Sequence, residues 1–188
     1  MIDIREYEQL ALDSGAYRDI EIDILKETLA SWKARPGDPY TILELRDGRV
    51  LAGFAVFCRA PNTEFTYDIL SLCVDPVYRG KGVGRRLLEM LEEEALGSDP
   101  AAILRCETSR KKQEAIGAEV LEDCGYSLIG HIADFYEGGD DYFMYARHAS
   151  RPLASASAAG QAAGAAGKAG AAAASAAGNA SEPEGAGK

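Results

Sequence analysis

The 188-residue chain is 47% hydrophobic and 27% charged, an ordinary globular composition, and its length argues for one domain with at most an appendage. Its formal net charge of -10 argues against non-specific nucleic-acid binding, which needs a basic face to neutralise phosphates. No stretch reaches transmembrane length, and the N-terminus is charged from Asp3 without a signal-like apolar run, so a cytoplasmic protein that makes no membrane contact is expected.

In chain order, "IDIREYE" reads as a short first strand. Ile20 to Trp32 reads as a helix, because Ile22, Leu25 and Leu29 recur at helical spacing. "RPGDP" stops it. "YTILEL" and "VLAGFAVFCR" flank Asp47-Gly48, a hairpin turn signal. "TYDILSLCV" reads as a central strand. "VGRRLLEMLEEEAL" is an amphipathic helix with Val83, Leu87, Leu91 and Ala95 on one stripe. "AAILRCET" is another strand, and "KKQEAIGAEVLEDCG" a helix that ends at Gly125. "YSLIGHIADFY" and "DDYFMYAR" form a last hairpin around Gly138-Gly139. The sum is an α/β protein with a sheet of mixed direction and helices on its faces.

From residue 150 the composition changes to Ala, Gly and Ser, and beyond Leu153 there is no large apolar side chain. Such a segment cannot offset its ordering entropy, so residues 150–188 are expected to be a disordered tail on a domain spanning 1–149. The four Cys form no CxxC pair and sit in apolar runs, as buried reduced thiols do. His131 and His148 stand far from any ligand cluster, so no metal site is expected.

Gly80, Gly82 and Gly84 alternate between the central strand and the amphipathic helix, with Arg79 and Lys81 among them. A helix start exposes unpaired N–H groups and the positive end of the helix dipole, a natural anion site. Glycines remove the β-carbons that would keep a diphosphate away from those amides. Two familiar phosphate loops fail here. A Walker loop needs Ser or Thr after Gly-Lys, where Gly82 stands; a dinucleotide fingerprint needs Gly at position 85, where Arg85 stands. The pattern [Q/R]-x-x-G-x-[G/A] is satisfied by Arg79-Gly80-Lys81-Gly82-Val83-Gly84.

On these residues the chain resembles the GNAT superfamily of acetyl-CoA-dependent N-acetyltransferases, and "VDPVYRGKGVGRRLLEMLEEE" is similar to that family's strand, loop and helix throughout. The later words "ETS", "CGY" and "DFYEGGDDYFMYAR" fall where a small bacterial group carries similar ones. The resemblance implies a mostly antiparallel sheet whose central strands splay apart, with helices on both faces. Pantetheine would pair with the backbone of Leu72, Cys73 and Val74, and the pyrophosphate would sit on Arg79 to Gly84. Acetyl-CoA would be the cosubstrate, with no metal, and a homodimer is a frequent assembly among similar proteins.

Amine acetylation needs a base for the ammonium, polarisation of the thioester oxygen and a proton for the departing thiolate. Family position implies Asp68 as base, with Glu107 the alternative at the end of the next strand. The Tyr that the family commonly carries four residues before the last helix's terminal Gly is Leu121 here. Tyr136, in the last hairpin, is the expected substitute acid, whereas Tyr126 is expected in the core. Cys73 and Cys106 lack a His partner at a recognisable spacing, so direct transfer is expected without an acyl-enzyme. The acceptor is an amine on a small molecule or peptide. The alternative reading is a catalytically weak acyl-CoA-binding module with a regulatory or interaction role.

Overall fold

The computed structural model describes residues 3–116 and 119–150, so all of the expected tail except Ser150, which ends the last strand, lies outside the described residues. The chain opens with two helices, α1 (Ile4–Ser14) and α2 (Asp19–Ala34). The first replaces the strand expected from "IDIREYE". Its alternation is only a few residues long, whereas Tyr7, Leu10, Ala11 and Ser14 form a buried helical face. The Asp3 side chain caps the Arg5 N–H at 3.1 Å, and Gly15 ends the helix at φ 68°. Helix α2 buries Ile22, Leu25 and Leu29 as the spacing requires.

Strands β1 (Tyr40–Asp47), β2 (Val50–Arg59) and β3 (Thr66–Val74) follow as an antiparallel meander. A 3-10 turn (Pro76–Tyr78) leads into α3 (Val83–Ser98), which buries Leu87, Leu91 and Ala95. Strand β4 (Ala101–Ser109) then runs parallel to β3. The single helix expected over residues 111–125 is two short ones, α4 (Arg110–Ile116) and α5 (Val120–Asp123), on either side of residues 117–118. Ser109 caps α4, its hydroxyl accepting the Lys112 N–H at 3.2 Å. The hairpin β5 (Ser127–Glu137) and β6 (Asp140–Ser150) completes a six-stranded sheet in the order β1-β2-β3-β4-β6-β5.

The sheet separates two cores. Residues of α1 and α2 pack on one face with Leu51, Phe54, Val56 and Cys73. On the other face α3 and α5 pack with Tyr67, Ile69, Leu72, Val74, Leu104 and Tyr126. Strand β3 changes phase between these sets. Ile69 and Ser71 pair with the consecutive residues Phe57 and Val56, which leaves Leu70 as an extra, bulged residue. Tyr67 and Ile69 therefore share a face with Leu72 and Val74 rather than with Ser71 and Cys73.

Candidate active site

The bulge opens the site. Pairing of β3 with β4 runs from Thr66↔Ile103 to Ile69↔Cys106 and stops at Leu70. Beyond it the strands diverge, and a gap lies between Ser71–Leu72 on one side and Glu107–Thr108 on the other. Parallel strands that part in mid-sheet leave backbone N–H and C=O groups for an extended ligand to pair with. Leu72 and Val74 turn their side chains into the α3 core, and Cys73 turns its side chain toward α1, where its Sγ lies 3.8 Å from the Leu10 carbonyl. Main-chain groups are thus what β3 offers to the gap.

At the C-terminal end of β3 lies a cavity of about 480 Å³ lined by Val74, Arg79, Gly80, Gly82, Val83, Gly84 and Ile116, among others. Gly80 and Gly82 have φ of 72° and 82°, the left-handed region, and a β-carbon on either would project into open space. The N–H groups of Val83, Gly84 and Arg85 form the first turn of α3 and have no carbonyl four residues back within the helix. These features suit a diphosphate. Arg79 does not turn its charge to the rim of the loop. Its guanidinium turns inward and donates to the Ser14 carbonyl at 2.7 Å, and so ties the loop to the end of α1. Lys81 stands over the Tyr78 ring, 5.1 Å from its centre.

Gly53 is a residue that sequence reading missed. A β-carbon there would come within 2.8 Å of the Cys73 carbonyl oxygen and 2.9 Å of Val83 Cγ1. Its bare backbone lets the start of α3 settle against β2 and β3. The signal was a lone Gly inside an apolar strand, which marks a close approach.

A second cavity of about 410 Å³ opens on the α2 face of the sheet. Asp68, Glu107 and Tyr136 all line it, so the three proposed catalytic side chains converge there. Their surroundings differ. Asp68 receives Arg105 Nε and Nη2 at 2.7 and 2.9 Å, a bidentate pair that occupies both carboxylate oxygens. Glu107 is exposed and forms no salt bridge among the described residues; it also borders the gap between the strands. Tyr136 lies under Arg18, whose guanidinium carbon is 3.9 Å from the ring centre. Burial raises the Tyr136 phenol above its ordinary value. Glu21 and Lys112 complete the cavity with an ion pair of 2.6 Å. Burial pulls Glu21 upward, but Arg18 and Lys112 outweigh it and hold the carboxyl at about 2.

Leu121 is 1% exposed, in the core beneath α3, and faces neither cavity. Tyr126 is likewise buried there, as expected. The cysteines are free, and burial raises the Cys73 and Cys106 thiols to about 12. At neutral pH they stay protonated and are poor nucleophiles.

The profile of the Acetyltransferase (GNAT) family matches residues 4–126. The chain belongs to that family. It is 33% identical over 102 residues to the N-alpha-acetyltransferase RimI of Mycobacterium tuberculosis, a match covering 53% of this chain and 61% of that protein. It is 36% identical over 103 residues to the uncharacterized protein ML0378 of Mycobacterium leprae, covering 53% and 27%. The matches thus span less than two thirds of these curated relatives. Among solved structures, a putative GNAT acetyltransferase of Desulfovibrio desulfuricans superposes with a TM-score of 0.68 at 25% identity, covering 77% of this chain and 91% of that one. The putative acetyltransferase yncA of Salmonella typhimurium, solved with acetyl-CoA, shares the fold at a TM-score of 0.59 and 21% identity, over 80% and 90%. The mixed, splayed sheet is therefore the GNAT fold.

Proposed function

We propose that this chain is an acetyl-CoA-dependent N-acetyltransferase that passes the acetyl group directly to a primary amine. The observation that carries the reading is that Glu107 borders both the acceptor cavity and the gap between β3 and β4, with its carboxylate uncommitted to a salt bridge among the described residues. Acetyl-CoA would supply an activated acyl carbon. Leu72, Cys73 and Val74 would hold pantetheine by main chain, and Gly80, Gly82, Val83 and Gly84 the pyrophosphate, with Arg79 and Lys81 shaping the loop.

Glu107 is the general base in this reading. It takes a proton from the acceptor ammonium, directly or through a water, at the mouth of the gap. Asp68 is the weaker candidate, because taking a proton would first require loosening its two bonds to Arg105. Tyr136 frames the acceptor side, since it lines the cavity but not the gap. The protonated, buried cysteines favour direct transfer over an acyl-enzyme.

The cavity also describes its acceptor. Asp68 is paired with Arg105, and Glu21 with both Arg18 and Lys112, so Glu107 is the lining carboxylate without a salt bridge among the described residues, beside Ile24, Leu25, Tyr40 and Leu70. A protonated amine flanked by a short apolar group fits those walls. The test is a turnover screen of purified protein with acetyl-CoA and a panel of amines and amine-terminal peptides, read as thiol release. Amine-dependent release is expected, and Glu107→Gln should suppress it. A wild type that binds acetyl-CoA but releases no thiol with any amine would favour a binding module.

A further inference from the structure

The core position of Leu121 leaves the departing thiolate without the helix tyrosine, and the loop between α1 and α2 brings another phenol to the gap. Tyr17 lines both the acceptor cavity and the gap between β3 and β4. Its hydroxyl lies 3.4 Å from the Leu72 carbonyl, on the stretch of β3 that has left β4. That distance is long for an O–H···O bond, so the hydroxyl is only weakly committed to the carbonyl; the Ser71 side chain is its other hydrogen-bond partner.

The loop that carries Tyr17 is fixed from several sides. Gly15 turns the chain out of α1 at φ 68°, and the Ser14 hydroxyl accepts the Ala16 N–H at 3.2 Å. The Ser14 carbonyl holds Arg79 of the glycine loop, which joins the phenol's loop to the diphosphate cradle. Lys112 Nζ lies 4.8 Å from the centre of the Tyr17 ring while it pairs with Glu21. Burial raises the phenol well above its ordinary value, so it stays protonated and able to donate.

We propose that Tyr17 is a catalytic residue, the proton donor to the coenzyme A sulfur as it departs. The C–N bond forms as the C–S bond breaks, and sulfur keeps that bond's electron pair. Tyr17 gives sulfur its proton. Two protons leave the amine nitrogen: Glu107 takes one and passes it to solvent, and the other restores the phenol. The ammonium, acetyl-CoA and the two residues thus yield the amide, the free thiol and one released proton.

The inference rests on the acetyl-CoA reading, and one titration separates the two. Coenzyme A is bound to the full chain and its thiolate is followed by ultraviolet absorbance against pH. Wild type, Tyr17→Phe and Lys112→Gln are compared, with desulfo-coenzyme A as the check that each still binds. A hydroxyl donating to the thiolate favours the charged form, so the bound thiol should titrate roughly one unit below the free thiol. Tyr17→Phe should return it toward the free value with the desulfo-ligand bound as before. Lys112→Gln should keep most of the shift, because Gly15, Ser14 and Arg79 still hold the loop.

Equal titration in wild type and Tyr17→Phe would overturn this inference and leave the acetyl-CoA reading standing. Wild type that binds no coenzyme A would overturn both. If Tyr17→Phe does not fold, the other two proteins decide. A shift that survives Lys112→Gln supports Tyr17, and one that vanishes with the lysine assigns the thiolate to the ammonium and overturns the inference.

Discussion

On the side of the sheet opening proposed for the coenzyme the working parts are backbone: the end of β3 that has parted from β4, two left-handed glycines and the first turn of α3. On the acceptor side they are side chains held by partners distant in sequence. Arg105 reaches back 37 residues to Asp68, and Lys112 reaches back 91 to Glu21. A backbone cradle needs particular residue types in particular order, so it is written locally. A side-chain network needs the completed fold. The two sides should therefore fail differently when altered.

The sharpest contrast is in turnover. With Glu107 as base, Glu107→Gln should lower kcat/KM by roughly 10²-fold or more and leave acetyl-CoA affinity unchanged. Steady-state rates and a binding titration on the same variant check this. An active Glu107→Gln beside an inactive Asp68→Asn would move the base to Asp68.

Next come two packing changes, one in the backbone beside the glycine loop and one in the core beneath α3. Gly53→Ala puts a β-carbon against the Cys73 carbonyl and Val83 at the start of α3. Backbone cannot rotate away as a side chain can, so a cost of about 1–3 kcal/mol and weakened acetyl-CoA binding are expected, by denaturant melts and titration. Leu121→Tyr over-packs the core by a similar amount, about 1–3 kcal/mol, and should bring no gain in rate. A faster Leu121→Tyr would mean that the phenol reaches the sulfur after all.

The smallest effect is electrostatic. Glu21 has its carboxyl depressed from 4.5 to about 2 in the folded chain. A depressed acid stabilises the fold above its unfolded value, and that contribution is lost as pH falls through the folded one. Thermal melts of wild type should therefore lose stability between pH 4.5 and 2 more steeply than those of Glu21→Gln. Parallel curves would show that the Glu21 pairs with Arg18 and Lys112 add nothing.

Much of the scaffold was legible because period and punctuation agreed. Leu87, Leu91 and Ala95 mark α3, and Asp47-Gly48 marks the first hairpin; all fall where expected. The first helix was not. A strand-like beginning at Ile2 and Ile4 hid the better helical face from Tyr7 to Ser14. The bulge at Leu70 had a trace in the sequence, the apolar phase slipping from Tyr67 and Ile69 to Leu72 and Val74, but nothing local said that β4 would part there. The turn before α3 was readable from its glycines, and Gly80 and Gly82 take left-handed φ there. The inward turn of Arg79 was not, because its partner is a carbonyl on α1. Nor was Tyr17, whose place depends on a loop tied at one end to that arginine and flanked by the Glu21–Lys112 pair.

The account turns on the glycine loop as a backbone cradle for acetyl-CoA, and thermal melts with and without that ligand test it most directly. Wild type should gain about 2.7 kcal/mol at a hundredfold excess over Kd. Gly82→Val should gain nothing, because a β-branched residue resists the φ of 82° on which the cradle depends. A Gly82→Val protein stabilised by acetyl-CoA as much as wild type would contradict the account.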